Sequence, residues 1–199
     1  WMSWIVSSIT ISMLIVGSIS YLLPLADMAT KMMISVSTIL FFNYVSYRGM
    51  KYSRHMLAFF GIITLFSLAL IIYGGASNVN LGNFSGSFSI QLPLLLLTIY
   101  FISETFFGWE TATFMAEETK SPRAMPKTLV LAAVIIALVN IFVAFIALAG
   151  DWQGFSESKV PMLFLFSEFF GDGFVPFYAV LVFVLLIGTA ASWIVSSPR

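Results

Sequence analysis

The feature that most constrains this chain is the recurrence of long apolar stretches, each close to the roughly 20 residues that carry a helix across about 30 Å of hydrocarbon. They run over residues 3–23, 32–47, 56–73, 92–116, 129–149 and 174–195. A 199-residue chain that is 60% hydrophobic and only 9% charged has more apolar surface than a soluble globule of its size can hide. The expectation is an all-α polytopic membrane protein, a single transmembrane domain of six spans seated in the lipid bilayer. The second stretch is short and dotted with Ser35, Ser37, Thr38, Asn43 and Ser46. It is expected to be shielded by neighbouring helices, with its hydroxyls bonded across an interface. Ser7, Ser8, Thr10, Ser12, Ser18 and Ser20 give the first stretch a polar face that needs partners in the same way.

The charged residues exclude several functions. Net charge is zero, so the chain lacks the clustered Lys and Arg of a nucleic-acid interface, and no nucleic-acid partner is expected. Cysteine is absent and His55 is the one histidine, which rules out disulfide scaffolds, thiol catalysis and the usual zinc sites. No nucleophile with a partnered base is recognisable. No cofactor, no metal site and no enzymatic activity are expected, and His55 reads as an interfacial residue.

Basic residues set the expected orientation, because cytoplasmic loops retain Lys and Arg. Arg48, Lys51 and Arg54 follow the second stretch, Lys120, Arg123 and Lys127 follow the fourth, and Arg199 follows the sixth. Opposite them lie Lys31 and Lys159 among the acids Asp27, Asp151, Glu157, Glu168 and Asp172. Both ends of the chain are therefore expected on the cytoplasmic side of the plasma membrane. The chain opens within an apolar stretch without a basic leader and closes directly after another, a pattern expected of an internal piece of a longer protein. The Gly-, Ser- and Asn-rich run 74–91 is expected to be an outer loop of turns, and its sequon Asn83-Phe84-Ser85 is read as chance. A second outer loop, 151–172, holds an apolar run between Pro161 and Gly171. That run is too short to span and fits a short helix lying over the outer face as a lid.

The fourth stretch carries the chemistry. Glu104 and Glu110 stand in apolar surroundings, where a carboxylate needs a wet cavity, a partner or a proton. Gly108, between Phe107 and Trp109, marks a weak point where the helix either opens or packs closely against a neighbour. If it opens, freed amides and carbonyls face a cavity, and Phe106, Phe107 and Trp109 supply its walls. Glu117 and Glu118 adjoin Lys120, Arg123 and Lys127 and read as surface pairing partners. Glu110, seven residues before Glu117, shares nearly the same helical face and extends a polar route toward the cytoplasm.

These residues resemble the amino acid permeases of the amino acid, polyamine and organocation transporter superfamily. Phe106-Phe107-Gly108-Trp109-Glu110, followed by Ala116-Glu117-Glu118-Thr119-Lys120-Ser121-Pro122 and Met125-Pro126, follows the family's pattern for its sixth helix and the loop after it. The run Asn43 to Lys51 resembles the turn between helices four and five, and Gly188 to Trp193 the end of helix eight. The resemblance implies that the six spans are helices three to eight of a fold of two inverted five-helix repeats, with substrate held near the midplane where the first and sixth helices unwind. On this mapping the first substrate-binding helix is absent, and the chain carries half of a site. Phe106, Phe107, Gly108 and Trp109 would line the pocket, Glu110 would take the acidic place behind it, and Glu104 would favour a cationic substrate or accept a proton. Thr189 and Ser192 are implied as weaker ion ligands, against the commoner case of hydroxyls bonding their own helix. The fifth helix, 56–73, has Thr64 and Ser67 but no lysine, which leaves the coupling ion open. The expected function is secondary active transport of an amino acid or related amine by alternating access, coupled to protons or sodium or run as exchange. The alternative is a membrane sensor or subunit on the same scaffold.

Overall fold

The computed structural model describes residues 2–84, 91–104, 125–150, 152, 154–158 and 160–196. Seven helices order them: α1 (Met2–Leu22), α2 (Met28–Tyr47), α3 (Met50–Ala76), α4 (Leu92–Glu104), α5 (Met125–Ala149), α6 (Pro161–Phe170) and α7 (Val175–Ser196). Short 3-10 turns at Leu81–Phe84, Phe155–Glu157 and Asp172–Phe174 join them, and no strand occurs among the described residues. Met28–Tyr47, Ser53–Ala76, Met125–Ala149 and Asp172–Val195 are each long and apolar enough to cross a membrane. The chain is an all-α polytopic membrane protein.

The helix ends follow local chemistry. Asp27 caps α2, its Oδ2 accepting from the amides of Ala29 at 3.1 Å and Thr30 at 3.3 Å. The cap starts the helix at Met28, ahead of the boundary at 32 read from hydropathy. Two residues, Arg48 and Gly49, separate α2 from α3, and Gly49 turns the chain at φ 96°, a conformation that side chains disfavour. At the far end of α3 the expectation fails, because Gly74 and Gly75 are helical instead of opening a loop. A Cβ at Gly74 would lie 2.6 Å from Phe170 Cε2, and one at Gly75 would overlap Ile146 Cγ2. The two glycines let α6 and α5 close onto α3, so their missing side chains serve packing here and not a turn.

The hydroxyls of α2 also correct the sequence reading. Ser35 bonds the carbonyl of Lys31 at 2.7 Å, Ser37 that of Met33 at 2.9 Å, Thr38 that of Ile34 at 2.8 Å, and the Asn43 amide that of Ile39 at 2.9 Å. These bonds stay within the helix and do not cross an interface, because the carbonyl one turn back is always in reach. Ser12, Ser18 and Ser20 in α1 do the same, although Ser20 Oγ also accepts from Lys31 Nζ of α2 at 3.2 Å. Ser7 and Ser18 are buried, whereas Ser8 and Ser12 are exposed.

The bundle is organised around α7, which packs on α1 and α3 and also meets α2 and α6. In the α7 span 39% of residues are buried, against 11% in the spans of α2 and α3 and 6% in that of α5, so α7 is the core element. Its Ala190 joins Ile15 and Ile19 of α1. Ile187, Ala191 and Ile194 enclose Phe42 of α2. Farther up, Tyr178 and Val182 join Ile71 of α3 with Leu165 and Phe166 of α6. At Gly188 a Cβ would stand 2.6 Å from Phe60 Cβ, which marks the close approach of α7 to α3.

Two tests follow from this packing. Gly188→Val should lower stability by about 1–3 kcal/mol, the usual range for overpacking, whereas Gly17→Ala, with nothing within 4 Å of the added Cβ, should be neutral or stabilising; thermal unfolding in detergent separates them. The hydrogen bond from the Thr30 side chain, followed by that from its backbone amide, holds the Asp27 carboxyl below the ordinary carboxylate range. A depressed folded value means the cap's contribution is complete above the pKa of the unfolded chain and disappears as pH falls through the lower folded one. Melting curves recorded on acidification should show this acid limb in the wild type and lose it in Asp27→Asn, which keeps a capping oxygen without the titration.

Candidate functional site

Of the residues singled out in sequence, Phe106, Phe107, Gly108, Trp109 and Glu110 lie outside the described residues, as do Glu117 and Glu118. Glu104 is the last residue of α4.

Thr189 and Ser192 are described, and α7 presents both on an exposed face. Thr189 Oγ1 donates to the carbonyl of Leu185 at 3.0 Å, and Ser192 Oγ to that of Thr189 at 2.7 Å. Back-bonding of this kind does not exhaust a hydroxyl. With its proton committed to the backbone, the Thr189 oxygen keeps lone pairs able to accept a further hydrogen bond. Thr189 and Ser192 both line a cavity of about 520 Å³ between α3, α5 and α7, together with Gly61 and Thr64 of α3 and Ile135 and Ile136 of α5. The structure thus gathers the hydroxyls of Thr64, Thr189 and Ser192 around one space. Sequence reading had paired Thr189 with Ser192 but gave Thr64 no role; the available signal was a hydroxyl one helical turn from Gly61 on an otherwise apolar span. The rest of the wall is apolar. Among the described residues no group of three or more His, Cys, Asp and Glu comes together as a metal site.

A second cavity of about 470 Å³ lies between α2 and α7, lined by Ser37, Thr38, Phe41, Phe42 and Phe183 among others. Its lining is aromatic, and Ser37 and Thr38 again direct their protons to their own backbone.

The end of the bundle that carries α6 is held by a polar contact the sequence did not reveal. The hydroxyl of Tyr178 donates to the Ser67 carbonyl at 3.3 Å and accepts from Ser67 Oγ at 3.4 Å, and both residues are fully buried. The Tyr178 ring stacks on Phe166 of α6 at 4.1 Å with a 6° interplanar angle. Beside it Trp152 meets Phe169 edge-on at 5.2 Å and donates its indole N–H to the carbonyl of Ile146 at 3.2 Å. The amide of Asn80 and the side chain of Asn83 both donate to the carbonyl of Ala149, at 3.1 and 2.9 Å, closing the end of α5. Through Tyr178, α6 is seated on α3 and α7 at once.

The described residues form a bundle of apolar helices with a cavity between its spans. A family model of amino acid permeases matches residues 1–199, and the chain belongs to the amino acid permease family. Comparison with characterised proteins and with solved structures gave no match. The family is one of transporters and not of enzymes, and its substrates are amino acids.

The Tyr178–Ser67 contact makes a direct prediction. Tyr178→Phe, which removes both hydrogen bonds, should cost roughly 0.5–1.5 kcal/mol; Ser67→Ala, which removes only the Oγ bond and keeps the backbone carbonyl, should cost less, and the double variant little more than Tyr178→Phe alone. A double-mutant cycle in thermal unfolding measures the coupling.

Proposed function

We propose that the protein is a secondary active transporter that moves an amino acid or related amine by alternating access within a five-plus-five inverted-repeat fold. The observation that carries this reading is the amino acid permease match along the whole chain, which includes the motif Phe106 to Glu110. In this proposal Phe106, Phe107 and Trp109 wall the substrate pocket and Gly108 exposes backbone to the substrate. Glu110 and Glu104 supply negative charge in a low-dielectric setting, where a carboxylate is worth keeping only if it binds or relays a cation. The Thr64, Thr189 and Ser192 oxygens are the accompanying candidates for the coupling ion or a substrate ammonium. They lie on α3 and α7, which Tyr178 and Gly188 hold together, so motion of α5 against this pair would open or close the space they face. α6 would travel with α3 and α7, to which Tyr178 and Gly74 join it. The six spans are assigned as in the sequence, both ends are placed in the cytoplasm, and the plasma membrane is the proposed location.

Uptake of a radiolabelled amino acid panel into proteoliposomes, with and without proton and sodium gradients, tests the proposal. Saturable uptake should fall about 10- to 100-fold in Glu110→Gln, the worth of a hydrogen bond to a charged group. Glu104→Gln should change the pH dependence or the preference for cationic substrates. Thr189→Ala combined with Ser192→Ala should weaken the dependence on the driving ion more than substrate affinity. Ligand binding without flux under every gradient would instead make the protein a sensor on the same scaffold.

A further inference from the structure

α5 is seated most firmly at one end. It is 25 residues long, and its two buried residues, Ile146 and Ala149, both lie in its last turn. Ile146 meets α3 where Gly75 has no Cβ to hold it off. The last carbonyls of a helix find no partner within it, and here donors from other segments take two carbonyls of this turn. That of Ala149 accepts from the amide of Asn80 at 3.1 Å and from Asn83 Nδ2 at 2.9 Å, and that of Ile146 accepts from the Trp152 indole at 3.2 Å. Gly150 lets the indole fold back over the helix end, since a Cβ there would overlap the ring, and Trp152 also rests edge-on against Phe169 of α6.

Farther along, the same helix borders open space. Every residue of α5 before Ile146 is half-buried or exposed, and Ala132, Ile135 and Ile136 line the cavity of about 520 Å³ whose other walls include Thr64 of α3 and Gly188, Thr189 and Ser192 of α7. Those walls form one body, because Gly188 brings α7 against Phe60 and Tyr178 bonds Ser67. Ile135 lies about 21 Å from Ala149 at 1.5 Å per residue, so tilting α5 by about 10° around its last turn moves Ile135 by roughly 4 Å. The end of the helix can absorb that tilt. Asn80 and Asn83 converge on a single oxygen, and a small rotation about that atom leaves both hydrogen-bond lengths nearly unchanged.

We infer that the last turn of α5, held by Gly75, Asn80, Asn83 and Trp152, is a fixed joint about which α5 swings against the α3–α7 pair. Hinges of this kind sit at the ends of elements, where a few residues take up the rotation. Asn83 and Trp152 are positioning residues of the joint, acting on α5 and not on substrate. The inference rests on the proposed transport cycle for the use of the motion, in which the swing opens and closes the space before Thr64, Thr189 and Ser192.

The chain has no native cysteine, so spin-label pairs can be placed at exposed positions of the intact protein in proteoliposomes. Phe59→Cys with Leu131→Cys flanks the cavity, and Tyr73→Cys with Leu148→Cys flanks the joint. Double electron–electron resonance should give one narrow distance for the joint pair and two distances about 4 Å apart for the cavity pair. A millimolar mixture of the common amino acids should shift the populations of those two distances and leave the joint pair unchanged. Asn83→Ala, and Trp152→Phe, which keeps a ring and loses the N–H, should each add a second distance to the joint pair. Two cavity-pair distances that the mixture leaves unshifted, in preparations that take up no amino acid, would uphold the joint and remove the transport cycle. A single cavity-pair distance under every condition, with or without uptake, would overturn the joint, as would a joint pair as broad as the cavity pair. Thermal unfolding shows whether Asn83→Ala and Trp152→Phe are folded; where one is not, the comparison of the two label pairs in the otherwise unaltered protein decides the matter.

Discussion

Everything in this structure depends on how closely α7 can approach its neighbours. In lipid the apolar effect that drives soluble cores together is absent between helices, because a lipid tail is as apolar as leucine, and helices associate through close van der Waals contact instead. α7 meets that constraint with Gly188 against Phe60 and with Ala190 and Ala191, both fully buried. Gly74 and Gly75 do the same for α3 against α6 and α5. These small residues set the spacing at which α1, α2 and α3 surround α7, and that spacing leaves the cavity between α3, α5 and α7 open.

Polar groups within the apolar bundle fall into two kinds. Most hydroxyls satisfy themselves one turn back along their own helix, as Ser35, Thr38 and Thr189 do, so they contribute little to holding helices together. Cavities reach some of them, Thr189 and Ser192 between α3, α5 and α7 and Ser37 and Thr38 between α2 and α7. The Tyr178–Ser67 contact is of the other kind, crossing from α7 to α3 in a fully buried setting. A hydrogen bond placed there specifies one packing of α6, α3 and α7 over its alternatives.

The membrane class and the helical fold were legible from the apolar stretches, because hydrocarbon thickness translates directly into residue count. The family was legible too, in the run from Phe106 to Pro126, where order and spacing are distinctive. Helix ends were less so. Hydropathy placed the start of α2 at 32, whereas the cap Asp27, five residues earlier, decides it, and composition made Gly74 and Gly75 a loop when packing makes them a contact. Glu104 ends α4, and Glu110 lies outside the described residues.

Taken alone, the sequence determined that this chain spans a membrane, that its substrate class is that of the amino acid permeases, and where along the chain its acids and bases lie. Those properties are written in local composition and residue order, which need no partner to act. Tertiary structure decided which small residues are contacts, that the hydroxyls of Thr64, Thr189 and Ser192 share one space, and that Tyr178 ties α6 to two spans. Such facts join residues as far apart as 67 and 178. No periodicity or motif specifies them, because they depend on the distance and rotation at which whole helices pack.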